Sequence, residues 1–310
     1  MYEKRFYREL FKGENLKFFN ICVYETDLSI GVCEDSLGFE NNCSTENNNN
    51  TENGPIIKNI RSAESSSNEN SNQNNNESNN ENNNSSGKGF GNVGYGSISS
   101  IENTVVFRSA LRAVRRYRQQ IQDYIKIHPE FLTSLVPITP KPRAAFIVQK
   151  MCEAAKKADV GPMAAVAGAI AELTGYELLK YSKEVVIENG GDIFIKTDSV
   201  RKIGIYAGNS PLSQKLALKI QPEQTPAGVC TSSGTVGHSL SFGKADAVVI
   251  AARDAFLADA VATSTANKVK TPRDIEFALN YASTIDGVFG AVIIIEDKIG
   301  AWGEIELTKF

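Results

Sequence analysis

The apolar positions divide the chain into segments of two periods. Residues 104–132, "TVVFRSALRAVRRYRQQIQDYIKIHPEFL", start apolar and turn basic and polar. They predict one long helix ending near His128-Pro129, because proline restricts the residue before it. "PRAAFIVQKMCEAAKKADV" and "GPMAAVAGAIAELTGYELLKYS" predict two more helices joined at Val160-Gly161-Pro162, the second so rich in Ala and Gly that another backbone can approach it. Strands follow in "EVVIENGGDIFIKT", "VRKIGIYAGN" and "QKLALKI", with "GVCTSSGTVGHSLSFGKAD" next and "KADAVVIAA" behind it. A helix, "TPRDIEFALNYAST", precedes a strand pair expected to turn at Asp297-Lys298-Ile299-Gly300. Near the start, "KRFYRELFK", a Gly-Glu-Asn turn and "LKFFNICVYETDLSIGV" read as an antiparallel ribbon. The sum is an α+β fold with a largely antiparallel sheet and paired helices on one face.

Composition changes this picture in one place. Residues 37–103 shift to Asn, Ser, Glu and Gly, as in "SSSNENSNQNNNESNNENNNSSGKGFGN". Such sequence cannot bury enough apolar surface to offset its ordering entropy. It reads as a disordered insertion in a surface loop, splitting one domain made of residues 1–36 and 104–310. Elsewhere, 41% hydrophobic and 22% charged residues are ordinary globular values. A net charge of −3 gives no general attraction to nucleic acid or anionic membrane, so neither is expected as a partner. The arginines of the long helix (Arg108, Arg112, Arg115, Arg116, Arg118) then read as a solvated face making ion pairs. The opening "MYEKRFYREL" lacks the apolar run of a secretory signal, and no uninterrupted apolar stretch spans a bilayer; the expectation is a cytoplasmic protein. Five scattered cysteines and two histidines, without a C-x-x-C pair, argue against a zinc site or a disulfide framework.

Three clusters spend glycine and small polar residues where a core would spend leucine. In Glu188-Asn189-Gly190-Gly191-Asp192, Asn-Gly signals a hairpin turn, but an acid on each side exceeds what a turn requires. Those carboxylates could hydrogen-bond a ligand that the glycines let come near. In "LADAVATSTAN", Asp259 and Thr263 lie one helical turn apart on one face. They form either a polar stripe or a seat for a hard cation such as Mg²⁺, completed by carbonyl and phosphate oxygens. In "GVCTSSGTVGHSLSFGKAD", the residues Thr231, Ser232, Ser233, Gly234 and Thr235 suit an anion nest. Neither a P-loop nor a Rossmann fingerprint is present. Cys230 and His238 flank that run, and an imidazolium beside the thiol would favour the thiolate; a small buried cysteine is the commoner state. His128 reads as a cap or core residue.

These residues, in this order, resemble the ApbE-like superfamily of FAD:protein FMN transferases, where a "GGD" strand turn, a "TSG" segment followed by histidine and an "ADALAT" helix start recur. Here they read Gly190-Gly191-Asp192, Ser232-Ser233-Gly234 with His238, and Ala258 to Thr263. The chain is more similar still to a branch of that superfamily found in archaea and bacteria, through "HPEFL", "VGPMAAVAGAIAE", "ENGGDIFI", "CTSSGTVGHSLSFGKADAV" and "ADAVAT". The resemblance implies an ApbE-like fold of paired T-fold-like units. It implies Mg²⁺ held by Asp259, Thr263 and a carbonyl near Ala169, with FAD or FMN facing Asp192 and His238 by the reacting phosphate. Phosphoryl or nucleotidyl-type transfer, or FAD pyrophosphatase chemistry, follows from it. The chain departs from the transferases after the histidine, where Ser239-Leu240-Ser241-Phe242-Gly243 replaces an aspartate-proline step. Two alternatives stand beside this reading. The same branch is associated with sulfur assimilation into homocysteine, for which Cys230 would act as a persulfide or redox thiol; the other alternative is a nucleotide-binding module without catalysis. A homo-oligomer is compatible with each.

Overall fold

A computed structural model of the chain describes residues 15–37, 101–236 and 241–310. The expected first strand at residues 4–12, His238, and all of the expected insertion from residue 38 to residue 100 lie outside the described residues. Leu37, at the insertion's expected start, is buried in a short 3-10 turn, Glu34–Leu37.

Eleven strands form among the described residues: β1 (Leu16–Val23), β2 (Thr26–Cys33), β3 (Val185–Asn189), β4 (Asp192–Lys196), β5 (Arg201–Gly204), β6 (Leu216–Ile220), β7 (Ala227–Ser232), β8 (Ala247–Ala252), β9 (Val288–Ile295), β10 (Lys298–Gly303) and β11 (Glu306–Lys309). The main helices are α1 (Val105–Ile127), α2 (Phe146–Ala158), α3 (Val166–Leu178), α4 (Ala255–Asn267) and α5 (Ile275–Ser283). The long helix starts at Thr104, whose side chain accepts from the Phe107 amide, and ends with His128 as its C-cap, as the proline signal predicts.

Eight strands form one sheet in the order β1-β2-β3-β4-β7-β8-β9-β10, and β11-β6-β5 form a second. All pairings are antiparallel. Strand alternation divides the core in two. Phe194, Cys230, Val248, Ile250 and Ile293 join the core that the helices cover. Their neighbours Ile195, Val229, Val249, Ala251, Val292 and Ile294 join a separate core with Leu218 and Ile220 of the small sheet. The fold is therefore α+β in three layers, with helices on one face of the large sheet and the small sheet on the other. This explains why β8 is buried at every position: a strand covered on both faces needs no polar alternation.

The C-terminal turn falls earlier than the glycine at position 300 suggests. Ile295 pairs with Lys298, so the chain turns at Glu296-Asp297, and Lys298 to Gly300 already belong to β10. Gly300 serves packing instead, since a Cβ there would lie 2.3 Å from a methyl carbon of Ile275 on α5.

Candidate functional site

The β3–β4 hairpin closes through Gly190 (φ 73) and Gly191 (φ 105), two successive left-handed residues in the manner of a type I′ turn. The turn sets Asn189 opposite Asp192. Glu188 stabilises it from within by accepting from the Gly191 amide at 2.8 Å. Asp192 in turn pairs with Cys230 on β7. By alternation, Asn189, Asp192 and Cys230 share the helix-covered face of the sheet. Asn189, Asp192 and Glu188 are each less than one tenth exposed.

The helices meet this polar island at their N-termini. The backbones of α3 and α4 touch at Gly168, where a Cβ would lie 2.1 Å from the Ala255 carbonyl oxygen. Asp259 of α4 accepts from the Gly168 amide at 2.9 Å and also from Ala167. It thus caps α3, which has no side-chain cap of its own. The arrangement is reciprocal: Glu172 of α3 accepts from the Ala255 and Phe256 amides at the start of α4, beside that helix's own cap, Asp254. The Asn189 amide adds a hydrogen bond to the Ala167 carbonyl at 3.0 Å.

Electrostatics sets this junction apart. Burial pushes the Asp192 carboxyl well above the usual carboxylate range, and the Asp259 and Glu188 charges push it further. Burial also raises Asp259, to about 7, against the opposing effect of its two backbone donors. The Cys230 thiol is fully buried, donates to the Ala255 carbonyl at 3.6 Å and lies beside Asp192. Burial and the two aspartates hold it well above the ordinary thiol range, so the reactive thiolate is strongly disfavoured. The oxygen-rich pair of carboxylates, with Thr263 half-buried one turn along α4, suits a hard cation that takes one or two carboxylates. Among the described residues, no cluster of three or more His, Cys, Asp or Glu has the spacing of a metal site. Ala169 lies inside α3, where its carbonyl belongs to the helix's own ladder and is a poor ligand.

Thr231 and Ser232 end β7 next to this junction, and the Thr231 amide donates to Gly191 at 3.2 Å. The loop beyond is folded on itself. Ser233 Oγ accepts from the Thr235 and Val236 amides at 3.0 and 2.9 Å, while the Gly234 amide donates to Ala245. Thr235 Oγ1 donates to Asp246 at 2.9 Å. The Thr231, Gly234 and Thr235 amides of the expected anion nest are thus engaged by the chain itself, and an anion at Thr235 would have to displace Ser233. The structure brings together Glu188, Asn189, Gly190, Gly191, Asp192, Cys230 and Asp259, with Thr231 beside them. Sequence reasoning missed Glu172; its signal was a lone acid within the apolar run "AGAIAELTG".

The family model described as "AbpE bacteria" matches residues 98–295, the segment that contains every element of this junction. The chain belongs to this family. A UPF0280 protein of Methanococcus aeolicus is 45% identical over 201 residues, covering 63% of this chain and 81% of that protein. A UPF0280 protein of Methanothermobacter thermautotrophicus is 45% identical over 193 residues, covering 61% and 75%. Among solved structures, the Pseudomonas stutzeri flavinyl transferase ApbE, apo form, has a TM-score of 0.34 at 15% identity, with 47% of this chain matched to 48% of that one. The flavin transferase ApbE from Vibrio cholerae has a TM-score of 0.34 at 13% identity, with 64% matched to 75%. Likenesses at that level carry no functional argument.

Proposed function

We propose that this ApbE-like family member binds a flavin nucleotide, FAD or FMN, together with Mg²⁺ at the α3–α4 junction, and that the site serves phosphoryl or nucleotidyl-type transfer. The observation that carries the reading is the buried Asp192–Asp259 pair. Two buried carboxylates share a low-dielectric site, so either one holds a proton or a cation compensates both. Asp192 and Asp259 would hold Mg²⁺ with the Thr263 hydroxyl. The ion would neutralise phosphate charge where transfer occurs. Glu188 fixes the hairpin that presents Asp192, and Asn189 and Gly168 hold α3 against it. Thr231 to Thr235 would meet phosphate oxygens once the Ser233 hydroxyl releases the Thr235 and Val236 amides. The flavin assignment rests on the ordered motifs shared with the ApbE-like superfamily. Nothing about Cys230 favours the thiol-dependent alternative, because its surroundings hold it neutral and enclosed.

Titrating the full chain with FAD and FMN, with Mg²⁺ and with a chelator, while following flavin fluorescence, tests the proposal. Binding is expected only with Mg²⁺, and is expected to weaken at least tenfold in Asp259→Asn. Equal flavin affinity in both conditions, or none in either, overturns it. Chromatography of the nucleotide after incubation separates transfer from binding without turnover.

A further inference from the structure

Two contacts join α3 and α4. The Gly168 amide donates to Asp259, and the Ala255 amide donates to Glu172 at 2.5 Å. Gly168 and Glu172 lie one helical turn apart on one face of α3, and Ala255 and Asp259 one turn apart on one face of α4. A single contact would leave the helices free to pivot about it, whereas two fix their crossing. Glu172 also accepts from Phe256, so it takes two of the four amides that a helix start leaves without a partner inside the helix. Asp254 takes another by accepting from Leu257 at 2.8 Å. Ala255 is held from the sheet side as well: a Cβ on Gly228 of β7 would lie 2.3 Å from its Cα, and Cys230 donates to its carbonyl at 3.6 Å. Glu172 itself is buried, and the titratable groups that face it are Asp254 of α4, Lys150 of α2 and Tyr176 of its own helix. A cap of the Asp254 kind secures a helix start without burying an acid. Glu172 does something different, since it ties the start of α4 to one particular turn of α3.

We propose that Glu172 is a positioning residue for the cation site: by holding the first turn of α4 it sets Asp259 against Asp192, and it is not itself a ligand. The inference rests on the proposed cation site at Asp192 and Asp259. Asp259 lies one turn, about 6 Å, beyond Ala255 on the same helix, so a shift of the first turn is carried to its carboxylate. Asp192 is fixed independently, by the β3–β4 hairpin and by its pairing with Cys230. The separation of two ligands borne on different elements then depends on the helix crossing, for which Glu172 supplies the second contact. This role asks for an acceptor and not for a charge, because one carbonyl oxygen, of a neutral carboxyl or of a carboxamide, has two lone pairs for the two amides.

Electron paramagnetic resonance of Mn²⁺ alone with the full chain at neutral pH tests the role, with circular dichroism and melting alongside. The wild type is expected to bind Mn²⁺ and Asp259→Asn to bind it more weakly. Glu172→Leu fills the space without an acceptor and is expected to weaken Mn²⁺ binding about tenfold. Glu172→Gln restores the acceptor and is expected to bind like the wild type. Because Glu172 acts through Asp259, adding Glu172→Leu to Asp259→Asn is expected to cost little further affinity. Three results overturn the positioning role while the cation site stands: lowered stability with unchanged Mn²⁺ affinity in Glu172→Leu, equal losses of affinity in the Leu and Gln variants, or losses that add in full in the double variant. A wild type that binds no Mn²⁺ overturns the cation site and this role together. Should Glu172→Leu not fold, Glu172→Asp decides, since it draws the acceptor back by one methylene: weakened Mn²⁺ binding supports the role, and unchanged affinity overturns it.

Discussion

At the scale of single residues, two buried acids with helix-capping roles separate by what they hold. Glu172 is pushed up to about 8 by burial first and by the neighbouring Asp254 second, against the Ala255 and Phe256 amides and the Lys150 charge. In the fold it keeps its proton to about that pH, whereas its ordinary value is 4.5. The folded state binds the extra proton between those values, so its contribution to stability is complete below 4.5 and lost as pH rises through 8. Glu172→Gln is expected to flatten this decline by roughly 1–3 kcal/mol, seen in urea midpoints across the window; equal slopes in both proteins would refute it. Asp259 is both a cap for α3 and a proposed cation ligand. Asp259→Ala is expected to lose about 1 kcal/mol of ligand-free stability with the cap. Asp259→Asn keeps an acceptor for Gly168, so it should melt near the wild type and still bind flavin with Mg²⁺ at least tenfold more weakly. If both variants lose stability and binding in proportion, Asp259 is a cap and no more. The acids of the hairpin and Asp259 were legible in sequence because they sit among glycines and alanines. Their meeting was not, since Asp192 and Asp259 come together only through the packing of α4 on the sheet.

At the scale of elements, the α3–α4 pair depends on bare backbone. The Ala-Gly composition predicts a close approach but not its partner, which is the start of α4 at Ala255. Gly168→Ala favours the helix by about 1 kcal/mol in isolation. Its methyl would nevertheless meet a carbonyl oxygen at 2.1 Å, a backbone atom held by the Glu172 cap. The net expectation is destabilisation by roughly 1–3 kcal/mol in urea melts, with loss of ligand binding as the helices part. A neutral or stabilising outcome would mean that the junction tolerates separation. The C-terminal hairpin shows where element-level reading goes wrong. Gly300 offers a turn residue, yet Glu296-Asp297 makes the turn, because the unbroken apolar run Ala291 to Ile295 pairs to its last residue.

At the scale of the molecule, the unbroken "AVVIAA" of β8 implies two covered faces, but the identity of the second cover was hidden. The small sheet joins β5 and β6 to β11, some 85 residues further along the chain, and only the three-dimensional register of Lys219 with Glu306 reveals the pairing. This layering predicts a gradient in local stability. Amides of β7 and β8, flanked by strands on both sides and covered on both faces, are expected to exchange with solvent only on global unfolding. The small sheet, with its half-exposed β5, is expected to open at lower free energy. Hydrogen exchange followed by NMR reads both layers in one experiment. Equal protection of β5, β6, β7 and β8 would contradict the layering.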